Sequence, residues 1–150
     1  MRIGRSMKLV YKVEIMGLTY NPVPYKRTTQ RGKFSKEYKK YLIWKTLLGD
    51  LFCSQNPHSP KTLYEIGKVM HARPNLSGAY FVEVVAIYKS DNHGDTDNIA
   101  KGVNDALFKN DKLVSGSYTY KYDKKGGLRV RIYEARAGEA IDFIKEQGVR

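Results

Sequence analysis

The sequence predicts an α+β fold, a single domain in which a mixed sheet of about four strands packs against about three helices. Three observations predict it. Four segments, at residues 8–18, 80–88, 113–122 and 128–133, either alternate apolar with polar residues or are apolar almost throughout and rich in β-branched and aromatic side chains. Three others, at about residues 36–52, 96–108 and 137–147, repeat apolar residues at helical spacing. The chain has 150 residues, 41% of them hydrophobic, enough for one core, and no repeat, low-complexity tract or linker divides it.

Each element has its own signature. In residues 8–18, Leu9, Tyr11, Val13 and Ile15 alternate onto one face, and Asn21-Pro22 and Val23-Pro24 stop the strand. Residues 25–33 are polar and basic without periodicity, which reads as a loop. Ser35 offers an N-cap hydroxyl to the first helix, whose apolar stripe is Tyr38, Tyr41, Leu42, Leu48 and Phe52. Lys36, Lys39, Lys40 and Lys45 lie largely off that stripe, and Asn56 to Pro60 break the helix. Residues 62–75 fit either a short helix or an irregular strand. Residues 80–88 (YFVEVVAIY) are apolar at nearly every position, the pattern of a central strand covered on both faces. After a polar loop, the second helix gathers Ile99, Val103, Ala106 and Leu107 on one face. The last two strands are expected to form a hairpin through Asp123 to Gly127, with Tyr118, Tyr120 and Tyr122 packing on one face. Residues 135–150 add a terminal helix with Ala137, Ala140, Ile141 and Ile144 aligned, and residues 1–6 read as an extension before Met7.

Charge narrows the partner. Lys and Arg number 27 against 15 Asp and Glu, a net +12, which is commonly matched to a polyanion. Between Lys26 and Lys45 there are eight basic residues and one acid, Glu37. Lys26, Arg27, Arg31, Lys33, Lys36 and Lys40 are the candidates for holding the phosphates of a nucleic-acid partner. Tyr25 and Phe34 flank the basic loop and either anchor it to the core or stack on exposed bases. No apolar run approaches the roughly 18–20 residues that span a bilayer, and no signal-peptide block is present, so no membrane partner is expected. With one cysteine, Cys53, no internal disulfide is possible, which suits a reducing cytoplasm. The three histidines lack zinc-ligand spacing, and no phosphate-binding glycine loop occurs.

The acids fall together instead, at Asp91, Asp95, Asp97, Asp105 and Asp111. On a helical wheel Asp97 and Lys101 stack one turn apart on the polar side, and Asp95 precedes them in an extended segment. Asp111 begins the next strand and reaches the same carboxylates if the helix packs back on the sheet. Asp105 sits further around the helix, in a supporting position. Magnesium takes an oxygen shell built from a few carboxylates, water and substrate phosphate, so Asp95, Asp97 and Asp111 are candidate ligands for Mg2+ or, as a substitute, Mn2+. Lys101 would stabilise added charge on the phosphate. Each residue also has an ordinary use: Asp95 as an N-cap, Asp97 beside the helix dipole or paired with Lys101, and Asp111 in a turn.

The segment Asp95-x-Asp97-Asn98-x-x-Lys101, followed by Asp105-Ala-Leu107 and Asn110-Asp111, resembles the core motif of the RusA-type Holliday junction resolvases. The likeness extends weakly to Pro22–Pro24 with its basic loop and to Gly126–Glu134. It implies one RusA-like endonuclease domain over residues 1–150, with metal held by Asp95, Asp97 and Asp111 and catalysis assisted by Lys101. It further implies a homodimer that resolves four-way DNA junctions by paired symmetric nicks during recombination and repair. The sequence departs from that pattern at Asn92-His93-Gly94, where the family is often arginine-rich, and at Asn110, where it often has an acid. Two other readings remain open: a basic DNA-binding module without catalysis, and a metal-dependent nuclease for other branched DNA or RNA.

Overall fold

The apolar run Tyr80–Tyr88 lies inside the sheet, flanked on both edges by other strands, as its composition requires. The structure, a computed structural model, describes residues 2–3, 7–27 and 35–135. In chain order the elements are β1 (Arg2–Ile3), β2 (Met7–Leu18), α1 (Lys36–Gln55), β3 (Lys61–Ile66), β4 (Val69–Pro74), β5 (Leu76–Ser77) and β6 (Tyr80–Tyr88). There follow α2 (Thr96–Leu107), β7 (Phe108–Asn110), β8 (Val114–Tyr122) and β9 (Gly126–Glu134). The main sheet runs β1-β2-β9-β6-β8, antiparallel except where β6 meets β8 in parallel, so it is mixed as expected. It has five strands where about four were expected, the extra one being the two-residue β1. Two small sheets, β3-β4 and β5-β7, complete the fold.

Both helices pack on one face of this sheet. Val13 and Ile15 of β2, Val82, Val84, Ala86 and Tyr88 of β6, and Leu128, Val130 and Ile132 of β9 meet α1 and α2 in a single apolar cluster. On the other face Phe81 joins Met7, Tyr133 and Ala135 in a smaller cluster, and Glu83 and Val85 stay half-buried. The α2 stripe is the expected one, with Ile99, Val103, Ala106 and Leu107 buried. That of α1 differs: Trp44 is buried, whereas Leu42 remains 38% exposed. Gly49 of α1 lets β4 approach, because a Cβ there would sit 3.1 Å from the Pro74 ring.

Three expectations are corrected or narrowed. Residues 62–75 form the β3–β4 hairpin, turned at Gly67, whose φ of 64° favours glycine. The segments expected to pair as a hairpin, β8 and β9, do not touch as strands. They flank β6 on opposite sides, and the connection crosses its end, where Asp123 N donates to Tyr88 O. The strand β2 does not keep one face, because a bulge between Leu9 and Tyr11 shifts the alternation. Leu9 therefore packs with Met7 and Tyr133, while Tyr11 faces the helices. The described residues contain two of the about three helices expected, and the other, at 137–147, lies outside them. Among the described residues no helix is long and apolar enough to cross a membrane.

Buried tyrosines give the fold a pH limit. Burial raises the pKa of Tyr41, and its hydrogen bond to Asp105 raises it further; burial also raises Tyr80, Tyr88 and Tyr133. Unfolded tyrosine ionises near 10.0, so above that pH the unfolded state binds fewer protons than the folded one. Stability therefore falls as pH rises past the unfolded value. Urea titrations at neutral pH and at about pH 10.5 should show this loss, and Tyr41→Phe should make it shallower.

Candidate functional site

The N-terminus of α2 organises the site. Asp95 occupies the N-cap position (φ −64°, ψ 142°), and its main-chain oxygen accepts from Asn98 N and Ile99 N at 3.0 Å each. Its carboxylate makes no capping hydrogen bond. The ordinary use of an aspartate there is to bond an N–H of the first turn, and Asp95 does not do so. Asp97 lies in that first turn, and both carboxylates are exposed where the helix dipole favours negative charge. Lys101, one turn further on, places Nζ 4.6 Å from the centre of the Tyr25 ring.

Residues 19–27 form a strap across this end of the helix. Tyr25 N donates to Asn98 O at 3.0 Å, and Asn98 Nδ2 returns to Tyr25 O at 3.3 Å. Gly94 and Gly102 allow the close approach: a Cβ on Gly94 would lie 2.9 Å from the Pro24 ring, and one on Gly102 would lie 3.3 Å from Tyr25 N. The Asn21 side chain pins the other end, accepting from Lys89 N at 2.7 Å and donating to Asn92 O at 2.8 Å. Lys26 and Arg27 leave the strap exposed, immediately after Tyr25.

Between the strap, α1 and the loop before Asp95 is a polar cleft of about 330 Å³, lined in part by Tyr20, Asn21, Pro24, Lys40, Lys89 and His93. Two of its cations differ in freedom, since Lys89 Nζ already donates to Thr19 O at 2.9 Å. A larger cavity of about 490 Å³ lies between α1 and the β3–β4 hairpin, is mainly apolar and has no acid in its lining.

An aromatic cluster backs the acids. The His93 ring stacks on Tyr88 at 3.5 Å with an interplanar angle of 5°. Its Nδ1 lies 2.8 Å from Gly94 O, which only accepts, so Nδ1 carries a hydrogen; Nε2 lies 2.8 Å from the Tyr122 hydroxyl. The Tyr88 hydroxyl meets Thr96 Oγ1 at 2.9 Å. Burial raises the Tyr88 pKa, the Thr96 hydrogen bond opposes the rise, and the Asp95 and Asp97 charges add to it. Tyr88 therefore stays protonated as a neutral wall beside the carboxylates.

The structure brings Asp95, Asp97, Lys101 and Lys40 to this end of the molecule, with Lys26 and Arg27 on the strap, and leaves Lys36 exposed on the first turn of α1. Arg31, Lys33 and Phe34 lie outside the described residues. Asp111 is placed elsewhere. Because β6 and β8 are parallel, α2 must run back along the sheet between them. Asp95 thus stands by the Tyr88 end of β6, and Asp111 by the Tyr80 end, where Leu113 O accepts from Tyr80 N. The 12-residue α2 separates them, a length of about 18 Å. Among the described residues no group of three His, Cys, Asp or Glu side chains is placed to hold one metal ion. Asp105 accepts from Tyr41 Oη at 2.5 Å and pairs with Lys45 at 3.0 Å, the supporting position expected of it.

Sequence reasoning missed the roles of Asn98, Lys89, His93 and Tyr88. Only Asn98 carried a local signal, being inside the Asp95–Lys101 segment; the others depend on pairings made across the fold. No protein-family model matches the chain, and no curated protein matches it.

Proposed function

We propose that the chain is a magnesium-dependent endonuclease for branched DNA, resolving four-way junctions by paired symmetric nicks in recombination and repair. One observation carries the reading: the Asp95 carboxylate, at an N-cap position, is left uncapped beside Asp97, with Lys101 one turn away. Two exposed carboxylates fit magnesium, which keeps most of its shell for water and phosphate, and manganese would substitute. When bound, the ion supplies Lewis acidity toward a phosphate oxygen and lowers the pKa of a bound water. Lys101, directed by the Tyr25 ring, neutralises charge gathering on the phosphate. Lys40 in the polar cleft and Lys26 and Arg27 on the strap hold flanking phosphates. With α2 between them in one chain, Asp111 would join such a site from a second copy, as in the homodimer that the resemblance implies.

The test uses labelled four-way junction, duplex and single strand, with and without magnesium or manganese. The expected result is symmetric nicking of the junction only with metal, and binding that weakens steeply with salt as counterions are released. Junction binding without cleavage in either metal would establish the alternative, a DNA-binding module without catalysis. A flat salt response would remove the basic surface from the reading.

A further inference from the structure

We propose that Tyr118, Tyr120 and Tyr122 form a stacking platform for unpaired bases of the DNA, beside the Asp95–Asp97 carboxylates. The inference rests on the reading of the chain as a DNA-acting protein and adds the feature of the substrate that it grips. Alternation along β8 puts the three rings on one face. Their parallel register with Val84, Ala86 and Tyr88 makes that the face carrying α2. The β6 partners are fully buried under the helices, yet the three tyrosines stay 43%, 60% and 50% exposed. They are not core residues, because β8 is the edge strand and their rings project beyond what α2 covers.

Nor do the rings satisfy one another. Tyr120 and Tyr122 meet edge to face, with centroids 5.9 Å apart and planes at 85°, which leaves ring faces open. Above the row, Gly116 packs against Val82 O, and a Cβ there would also stand 3.2 Å from the Tyr118 ring. The lower end is fixed: Tyr122 bonds to His93, and Tyr120 leans on Tyr88 at 6.0 Å. The Tyr120 and Tyr122 rings are nearly perpendicular, so the row offers separate ring faces, each for one base, and suits a single strand whose bases are unstacked from one another. Lys121, on the other side of the strand, and Lys124 and Lys125 beyond its end are exposed cations for the phosphates. In a chain of net charge +12, a polyanion with π-faces matches this edge in both chemistries.

Binding without metal separates this inference from catalysis. The probes are a single strand carrying 2-aminopurine, whose fluorescence reports stacking, and a duplex of equal length. For the full chain with Tyr118, Tyr120 and Tyr122 all changed to leucine, single-strand affinity should fall roughly ten-fold for each base stacked, with duplex affinity held within about two-fold. Tyr120→Phe, which keeps the ring, should retain single-strand binding, and Tyr120→Leu alone gives the readout if the triple variant fails to fold. Equal single-strand affinity and equal quenching in wild type and Tyr120→Leu would overturn the platform while leaving metal-dependent nicking to stand on its own assay. A change in sedimentation without loss of single-strand binding would overturn it in favour of a second protein copy on this edge. Absence of DNA binding by the wild type would overturn both this inference and the functional reading beneath it.

Discussion

Asp97→Asn is expected to abolish metal-dependent nicking while leaving the fold and DNA affinity in place. Asp97 is exposed and lies in the first turn of α2, and its charge does not tie two elements together. Its loss should cost stability only the dipole contribution, about 0.3–1 kcal/mol. For catalysis the same change removes one of two carboxylates available to the metal at this end of the helix. Removing a group that stabilises developing charge typically costs roughly 10²–10³-fold in turnover, and loss of a metal ligand should cost at least that. Binding should be equal or tighter, since a negative charge beside the phosphates is gone. Single-turnover cleavage of a labelled junction measures the first effect, and a thermal melt with a gel-shift titration measures the others. Nicking at near wild-type rate by Asp97→Asn would remove the active centre from this end of α2.

Local patterns were legible in proportion to how local their causes are. Helix α2 was readable because its apolar face, Ile99, Val103, Ala106 and Leu107, is set by spacing alone, and the same spacing stacks Asp97 and Lys101. Strand β6 was readable because an interior strand needs apolar residues almost throughout. Strand pairing was not. Asp123 to Gly127 has the composition of a hairpin turn, yet the chain there spans the end of β6. The contacts made there are distant in sequence: Gly126 lies against Tyr20 O, where a Cβ would clash. The bulge after Leu9 likewise follows from the register with β9, not from any residue type in β2. The β3–β4 hairpin stayed ambiguous because Leu63, Ile66, Val69 and Met70 remain exposed, which blurs the usual alternation. At the site the division is the same. Asp95, Asp97 and Lys101 are within one helix start, whereas the His93–Tyr88–Tyr122 contacts require β6 and β8 to be neighbours. Asp111 shows the limit most clearly, since its distance from Asp95 depends on which way α2 runs.

That distance makes a second strong prediction. If junctions are cut by a homodimer whose sites are completed across the interface, Asp97→Asn and Asp111→Asn are each inactive alone, and a mixture of the two regains nicking. The reason is geometric. Within one chain α2 holds Asp111 about 18 Å of helix away from Asp95, so a shared metal has to take Asp111 from another copy. In a mixed dimer, one site joins Asp95 and Asp97 of the Asp111→Asn chain to the intact Asp111 of its partner. The other site carries both substitutions. Random exchange yields mixed dimers in about half of the population, each with one whole site, so about a quarter of the wild-type sites return. Cleavage should then be a nick in one strand, without the paired nick opposite it. Full activity in Asp111→Asn alone would place Asp111 outside the site and leave the metal to Asp95 and Asp97. Inactivity of both variants with no recovery on mixing would mean that the three carboxylates act within a single chain, with residues 108–113 folding back along α2 when DNA binds.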